Sequence, residues 1–170
     1  PAHLASFVSF TFSSTLWFLL QFPGQGQHRL QHTAAYGQRL DITGPEPERR
    51  FVWVPSLRAV VGGIPVAANI HVWMADTQTP QSHRQWLSTL KRIASLQPDI
   101  VVPGHYLGDN DHSLKSVNFT RDYIKAFDEE ALKARNSGEL IAAMKKRYPD
   151  LGEESSLELS AKVAKGEMKW

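Results

Sequence analysis

The sequence predicts an α/β protein in which a mostly antiparallel sheet is covered by helices on one face. Short apolar runs of strand length, separated by Gly and Pro, fill residues 39–68. Longer stretches with apolar residues at helical spacing fill residues 80–165. A chain of 170 residues is long enough to bury a sizeable core.

Four strands are predicted in the first region. Between them lie turn signals such as Gly-Pro-Glu-Pro, Pro-Ser and Gly-Gly, which favour a meander of neighbouring strands. Pro65 has no backbone N–H to donate, so the last of these strands is expected at an edge or in an irregular stretch. The predicted strands are residues 39–43, 51–54, 59–61 and 64–68.

Helices dominate the second region. Thr79 and Pro80 are suited to the N-cap and first position of a helix, and Pro98 ends that helix. Ser155-x-x-Glu158 is a capping-box pattern, which predicts the start of the last helix. The remaining predicted elements are a strand at residues 100–102 and helices at about 111–136, 137–148 and 155–165.

Composition excludes several classes of function. The net charge is +2, and the basic and acidic residues are spread along the chain, so we expect no nucleic-acid partner. Because the chain has no cysteine, thiolate catalysis and Cys-ligated zinc are excluded. It also has no Gly-x-Ser-x-Gly, P-loop or dinucleotide motif, which removes support for acyl-serine and nucleotide chemistry.

We divide the chain into two parts. Residues 1–37 are predicted to be an atypical apolar segment followed by a loop, and residues 38–170 are predicted to form one domain. Residues 6–22 are the most apolar run, but Ser and Thr dilute it below a convincing membrane span, and a cleavage pattern is missing. We expect a buried or interface-forming segment of a cytoplasmic protein, with membrane contact through this segment or secretion as alternatives. Residues 23–37 are rich in Gly, Gln and His and predict a loop.

His105 is the first candidate metal ligand. It follows Pro103-Gly104 at the carboxyl end of a predicted strand, where open α/β layers bring side chains to a ligand crevice. The alternative is a turn residue held by hydrogen bonds. By contrast, His83 and His112 lie near the starts of predicted surface helices and are expected to be solvated.

His71 and Asp76 are the second candidates, because a histidine and a carboxylate close together suit zinc or iron. They lie between the predicted meander and the first predicted helix. In the alternative interpretation Asp76 or Thr77 caps that helix, and His71 packs beside Trp73.

Six short sequence segments between residues 51 and 127 occur in an order that is typical of a known family. They are Phe51-Val-Trp-Val-Pro-Ser56, Ala59-Val-Val-Gly-Gly63, Asn69-Ile-His-Val-Trp73, Trp86-Leu-Ser-Thr-Leu90, Pro98-Asp-Ile-Val-Val-Pro-Gly-His105 and Thr120-Arg-Asp-Tyr-Ile-Lys-Ala-Phe127. In this order they resemble the C-terminal half of metallo-β-lactamase-fold hydrolases, and residues 148–170 are similar to the tail of one branch. The resemblance covers about three quarters of the chain.

The resemblance implies half of an αββα sandwich, whose two similar halves hold metals at one edge between them. His105 matches the family's last histidine ligand. The family's bridging aspartate falls at about Gly63, and neither it nor its neighbours Gly62 and Ile64 can coordinate a metal through a side chain. The His-x-His-x-Asp-His motif of the other half is also missing, since the chain has no His-x-His pair.

We therefore expect a truncated metallo-β-lactamase-like protein without the family's hydrolase activity and without a cofactor. A half-fold exposes an apolar sheet face, so we also expect a homodimer that covers it. The alternative is a metal-dependent hydrolase whose zinc, iron or manganese site uses His105, His71 and Asp76 and is completed by a second subunit or a partner chain. No small-molecule substrate is predicted, because the family's specificity pocket draws on loops of the other half.

Overall fold

A computed structural model describes residues 31–35, 38–43 and 49–170, and it has the mixed α/β character that the sequence predicts. A 3-10 turn, Pro55–Leu57, joins the third and fourth strands. The strands are β1 (Gln31–Ala35), β2 (Gln38–Thr43), β3 (Phe51–Val54), β4 (Ala59–Val61), β5 (Ala67–Ala68), β6 (Ile100–Val102) and β7 (His105–Tyr106). The helices are α1 (Pro80–Ser95), α2 (Lys115–Lys133), α3 (Ser137–Arg147) and α4 (Glu154–Ala164).

The larger sheet of the described strands has the order β1-β2-β3-β4-β6. β1 to β4 form an antiparallel meander, in which Val52 lies opposite Val61. β6 then pairs with β4 in parallel, with Val60 opposite Val101, because α1 returns the chain to the same end of the sheet. Among the described strands the larger sheet is therefore mixed, with three antiparallel pairings and one parallel pairing.

Two strand predictions are wrong in part. Residues 31–35, predicted as loop, form β1, because pairing with β2 supplies the backbone hydrogen bonds that their polar composition does not suggest. The sheet therefore includes residues on both sides of residue 37. The strand predicted at 64–68 shortens to β5, since the chain turns at Pro65 and Val66 N donates to Gly63 O. The predictions for residues 6–22 lie outside the described residues.

One face of the larger sheet belongs to the main core. Side chains alternate along a strand, and Phe51, Val60 and Val101 are buried on the same face. They share one apolar cluster with side chains from all four helices. The helical members include Trp86, Leu90 and Ile93 of α1, Val117, Ile124 and Phe127 of α2, Leu140 and Met144 of α3, and Leu157 and Ala161 of α4.

The opposite face of this sheet is also apolar but less buried. Val52, Val61 and Val102 form a row across β3, β4 and β6, and each is half-buried. Ile100 lies on the same face and is 43% exposed. The sheet thus has one buried face and one partly exposed apolar face.

The start of α1 agrees with the sequence prediction. Thr79 Oγ1 accepts a hydrogen bond from Ser82 N at 3.0 Å, and Thr79 N donates to Ser82 Oγ at 3.2 Å. This reciprocal pair is a capping box, so the alternative in which Asp76 or Thr77 caps the helix is wrong. None of the described helices is long and apolar enough to cross a membrane.

The starts of α2 and α4 differ from the predictions. Asp111 accepts hydrogen bonds from Ser113 N at 3.1 Å and from Lys115 Nζ at 2.6 Å, which holds a turn ahead of α2 and delays its start. α4 begins one residue before Ser155, after Glu153 has taken a left-handed conformation with φ 58°. Ser155 therefore lies in the first turn and is not the predicted cap.

Candidate functional site

The candidate site lies at the carboxyl ends of the parallel strands β4 and β6. Gly62 N donates to Val102 O at 2.8 Å, which joins the two strand ends. A Cβ on Gly104 would lie 2.2 Å from Gly63 O, so only glycine permits this approach of the two backbones. The next residue, His105, is thereby delivered to the crevice where α/β sheets bind ligands.

The three candidate ligands predicted from the sequence line one cavity. His71, Asp76 and His105 all border a cavity of about 530 Å³, together with the aromatic side chains of Trp73 and Trp86. Cavities of this volume are typical of small-molecule sites. The structure brings the predicted residues together although 34 positions separate the first from the last.

His71 is buried and its imidazole has a protein partner. Its Nδ1 lies 3.0 Å from the hydroxyl of Tyr123, and burial lowers the pKa of His71 while Glu154 opposes this shift. A tyrosine hydroxyl can donate to Nδ1 or accept from Nδ1–H, so this bond is compatible with both neutral tautomers of His71. When the hydroxyl donates, the proton of the neutral imidazole lies on Nε2; when the hydroxyl accepts, Nε2 keeps its lone pair.

Asp76 also has a protein partner. Arg49 Nη2 donates to its Oδ1 at 2.6 Å. The Arg49 side chain is 4% exposed and the Asp76 side chain is 37% exposed. The Arg49 guanidinium lies 4.0 Å from the centre of the Trp86 ring, a cation–π contact. Sequence reasoning missed Arg49, because an arginine between a turn and a strand is ordinarily solvated.

His105, like Asp76, is exposed, whereas His71 is buried. His105 begins β7 and lies opposite Ala67 of β5. The residues that the structure describes contain no group of three or more His, Asp or Glu side chains arranged to hold a metal ion. The cavity therefore offers one accessible imidazole, a buried imidazole bonded to Tyr123, and a carboxylate paired with Arg49.

The structure corrects the prediction for His83. This residue is only 8% exposed, and its Nδ1 lies 2.6 Å from Asp128 Oδ1 of α2. The prediction of a solvated side chain is wrong because α1 packs against α2 along this side. His112 is exposed, as expected.

No protein-family model matches the chain, and no curated protein matches it either. The chemistry of the cavity must therefore be interpreted from its own residues. His105 can bind or position a ligand, the Arg49–Asp76 pair balances its own charge, and Trp73 and Trp86 supply apolar surface.

Proposed function

We propose that the described residues form the C-terminal half of a metallo-β-lactamase-like sandwich and do not catalyse the family's hydrolysis on their own. The observation that carries this proposal is that the described residues contain no group of three or more His, Asp or Glu side chains arranged to hold a metal ion, and Asp76 is paired with Arg49. A catalytic zinc needs three protein ligands and an open position to lower the pKa of its water. The described residues do not present that set at one point.

The partly exposed face of the larger sheet supports the half-sandwich. In a sandwich, two sheets pack face to face at about 10 Å and bury the side chains between them. The row of Val52, Val61 and Val102 has the apolar character that such packing needs. If two copies of the chain pack through this face about a twofold axis, the face is buried in both copies. We therefore propose a homodimer.

The dimer is tested by light scattering on the purified chain. Ile100→Lys places a charge on the partly exposed face, and we expect it to weaken association. Leu132→Lys is the matched control, because Leu132 is an 88% exposed apolar residue on α2. A monodisperse monomer at micromolar concentration contradicts the dimer, and so does an equal effect of the two substitutions.

Metal analysis tests the proposed lack of hydrolase activity. We expect purified protein to hold far less than one equivalent of zinc, iron or manganese, and its Tm to stay unchanged when these metals are added. A functional site would stabilise the native state by mass action. One equivalent of metal together with a raised Tm would therefore refute the proposal.

A metal-dependent hydrolase completed by a second subunit or a partner chain is the second candidate. It is favoured by the shared cavity of His71, Asp76 and His105. On this hypothesis His105→Ala abolishes metal binding, whereas His112→Ala, at an exposed histidine outside the cavity, preserves it. Metal binding that survives His105→Ala excludes this ligand.

A further inference from the structure

Two aromatic rings and one carboxylate are accessible within the cavity of about 530 Å³. Trp73 and Tyr106 line this cavity and are both half-buried, so a molecule in the cavity can reach their rings. Trp170 packs edge to face against Trp73, with ring centres 4.7 Å apart, and helps to hold that ring in place. Glu153, the residue before α4, also lines the cavity and is half-buried. The cavity thus combines aromatic surface with an acidic group.

Backbone hydrogen bonds fix the position of Glu153. Its neighbour Gly152 donates to Asn69 O at 3.3 Å and accepts from His71 N at 2.8 Å, which ties this turn to the segment before α1. Glu153 itself has φ 58° and ψ 47°, a left-handed conformation that residues with a Cβ seldom adopt. Its side chain forms no cap on α4 and no ion pair within the part of the chain that the structure describes. The carboxylate is therefore available to a ligand.

The acidic groups around the cavity outnumber the basic ones. Asp76 and Glu153 line it, whereas no Lys or Arg does so among the described residues. Asp76 is already paired with Arg49, so Glu153 is the carboxylate whose charge is not offset by an ion pair. The amino end of α4 carries about half a positive charge, which is smaller than the full charge of Glu153. The cavity therefore favours a cation over an anion.

Two histidines line the cavity without reversing this balance. His71 is 1% exposed, and burial lowers its pKa, which favours the neutral imidazole. The nearby Glu154 and Lys145 form an ion pair at 2.6 Å, so their charges largely cancel. His105 is exposed, and histidine side chains are ordinarily neutral at about pH 8. At that pH Glu153 supplies the excess charge of the cavity.

We propose that this cavity binds a small alkylammonium ion, with Glu153 as its counter-ion and with Trp73 and Tyr106 as aromatic contacts. A cation within about 6 Å of an aromatic ring centre is attracted to the face of the ring. The protein makes such a contact beside this cavity, where the guanidinium of Arg49 lies 4.0 Å from the centre of the Trp86 ring. Trp86 is itself only 1% exposed, so the half-buried rings are the ones that a ligand can use.

This inference goes beyond the proposed function and does not rest on it. All the contacting groups belong to one chain, so neither a second copy of the chain nor a metal ion is needed. A monomer in light scattering would contradict the dimer and leave this site unchanged. Metal-free protein, prepared with EDTA, is used in the test, so that a metal at the second candidate site cannot compete with the cation.

The probe is choline, and the matched control is the neutral alcohol in which a carbon atom replaces the nitrogen of choline. Binding to the full chain at about pH 8, where histidine is ordinarily neutral, is followed by NMR of the ¹⁵N-labelled indole groups of tryptophan. We expect choline to bind saturably, to shift the indole resonance of Trp73, and to bind roughly fivefold to tenfold more tightly than the alcohol. Equal affinities, an unmoved Trp73 resonance, or no saturable binding would each overturn the proposal.

Matched substitutions separate the charge of the cavity from its shape. Glu153→Gln keeps the length of the side chain and removes its charge, so choline should lose most of its advantage while the neutral alcohol binds as before. Glu158→Gln is the control at an exposed glutamate of α4 outside the cavity, and it should change neither affinity. Trp73→Leu removes an aromatic contact and should weaken choline binding more than binding of the alcohol. A preference for choline that survives Glu153→Gln, or that falls equally in Glu158→Gln, would refute the site.

Discussion

The imidazole of His71 and the hydroxyl of Tyr123 are buried together, with Nδ1 3.0 Å from the phenol oxygen and the two rings edge to face at 5.9 Å. The backbone of His71 makes a second link, since its N–H donates to Gly152 O at 2.8 Å. The residue therefore joins the segment before α1 to α2 and to the turn that precedes α4. A side chain suggested by sequence as a metal ligand is part of the framework that holds the helices together.

Replacing Tyr123 with Phe should destabilise the protein. The substitution keeps the ring but removes the hydroxyl, which leaves the buried His71 Nδ1 without its partner. An unsatisfied buried polar group costs about 1–3 kcal/mol, so we expect the free energy of unfolding in urea to fall by about that amount. Tyr106→Phe is the control at a half-buried tyrosine and should change it by less than about 0.5 kcal/mol. Equal effects of the two variants would show that the bond contributes nothing.

The pH dependence of stability should report the burial of His71. Burial lowers its folded pKa below the ordinary value of 6.5, so the unfolded chain binds the proton more readily. Its contribution is therefore fully present above 6.5 and declines as the pH falls from 6.5 towards the lowered folded pKa. His71→Asn keeps a side chain that can hydrogen-bond with the Tyr123 hydroxyl but does not titrate. Urea unfolding should show a shallower loss of stability below 6.5 in this variant, and identical slopes would contradict the assignment.

Asp76→Asn should destabilise the protein more than a matched surface change. Arg49 is 4% exposed and would lose its ion pair with Asp76. Because Asp76 is partly exposed, we expect a cost of about 1–3 kcal/mol, below that of a fully buried pair. Asp99→Asn is the control, since its pair with Arg58 is exposed on both sides and is worth about 0–1 kcal/mol. Circular dichroism melts of the two variants make the comparison, and equal shifts in Tm would contradict a buried role for Arg49.

Most helices and strands could be predicted from the sequence because local signals mark their ends. α1 begins at a capping pair and stops before Pro98, and β6 is a short β-branched run next to it, so each boundary has its own chemistry. β1 has no such signal. Its pairing with β2 depends on contact between segments, which composition alone does not encode.

The site residues missed by the sequence fall into two kinds. Tyr123 and His83 had a usable signal, because Tyr123 follows Thr120 by three positions on the buried side of α2, and His83 precedes Trp86 by three on α1. The polar ring of His83 led to the prediction that it is solvated. Arg49 had no local signal, since its burial depends on the Trp86 ring far along the chain.

Gly104→Ala should disrupt the crevice. A Cβ there would lie 2.2 Å from the backbone oxygen of Gly63, and a backbone atom cannot rotate away as a side chain can. We expect the free energy of unfolding to fall by about 3 kcal/mol. Gly108→Ala is the control, because Gly108 has φ +64° but open space around its Cβ, so only the conformational cost of about 1–2 kcal/mol applies. Equal losses of unfolding free energy in the two variants would contradict the close approach of the backbones that follow β4 and β6.

Thr79 and Ser155 are the two residues that the sequence predicts as helix caps. Replacing each with alanine should change the free energy of unfolding by different amounts. Thr79 accepts from Ser82 N and completes a reciprocal capping box, so Thr79→Ala should lower the free energy of unfolding by about 1 kcal/mol. Ser155 lies inside the first turn of α4, where the N-cap Glu153 has no side-chain hydrogen bond to the helix. Ser155→Ala should therefore be neutral or stabilise slightly, because alanine has the higher helix propensity. A loss of about 1 kcal/mol at Ser155 would instead support the start of α4 that the capping-box pattern predicts, since that is the usual cost of removing a cap.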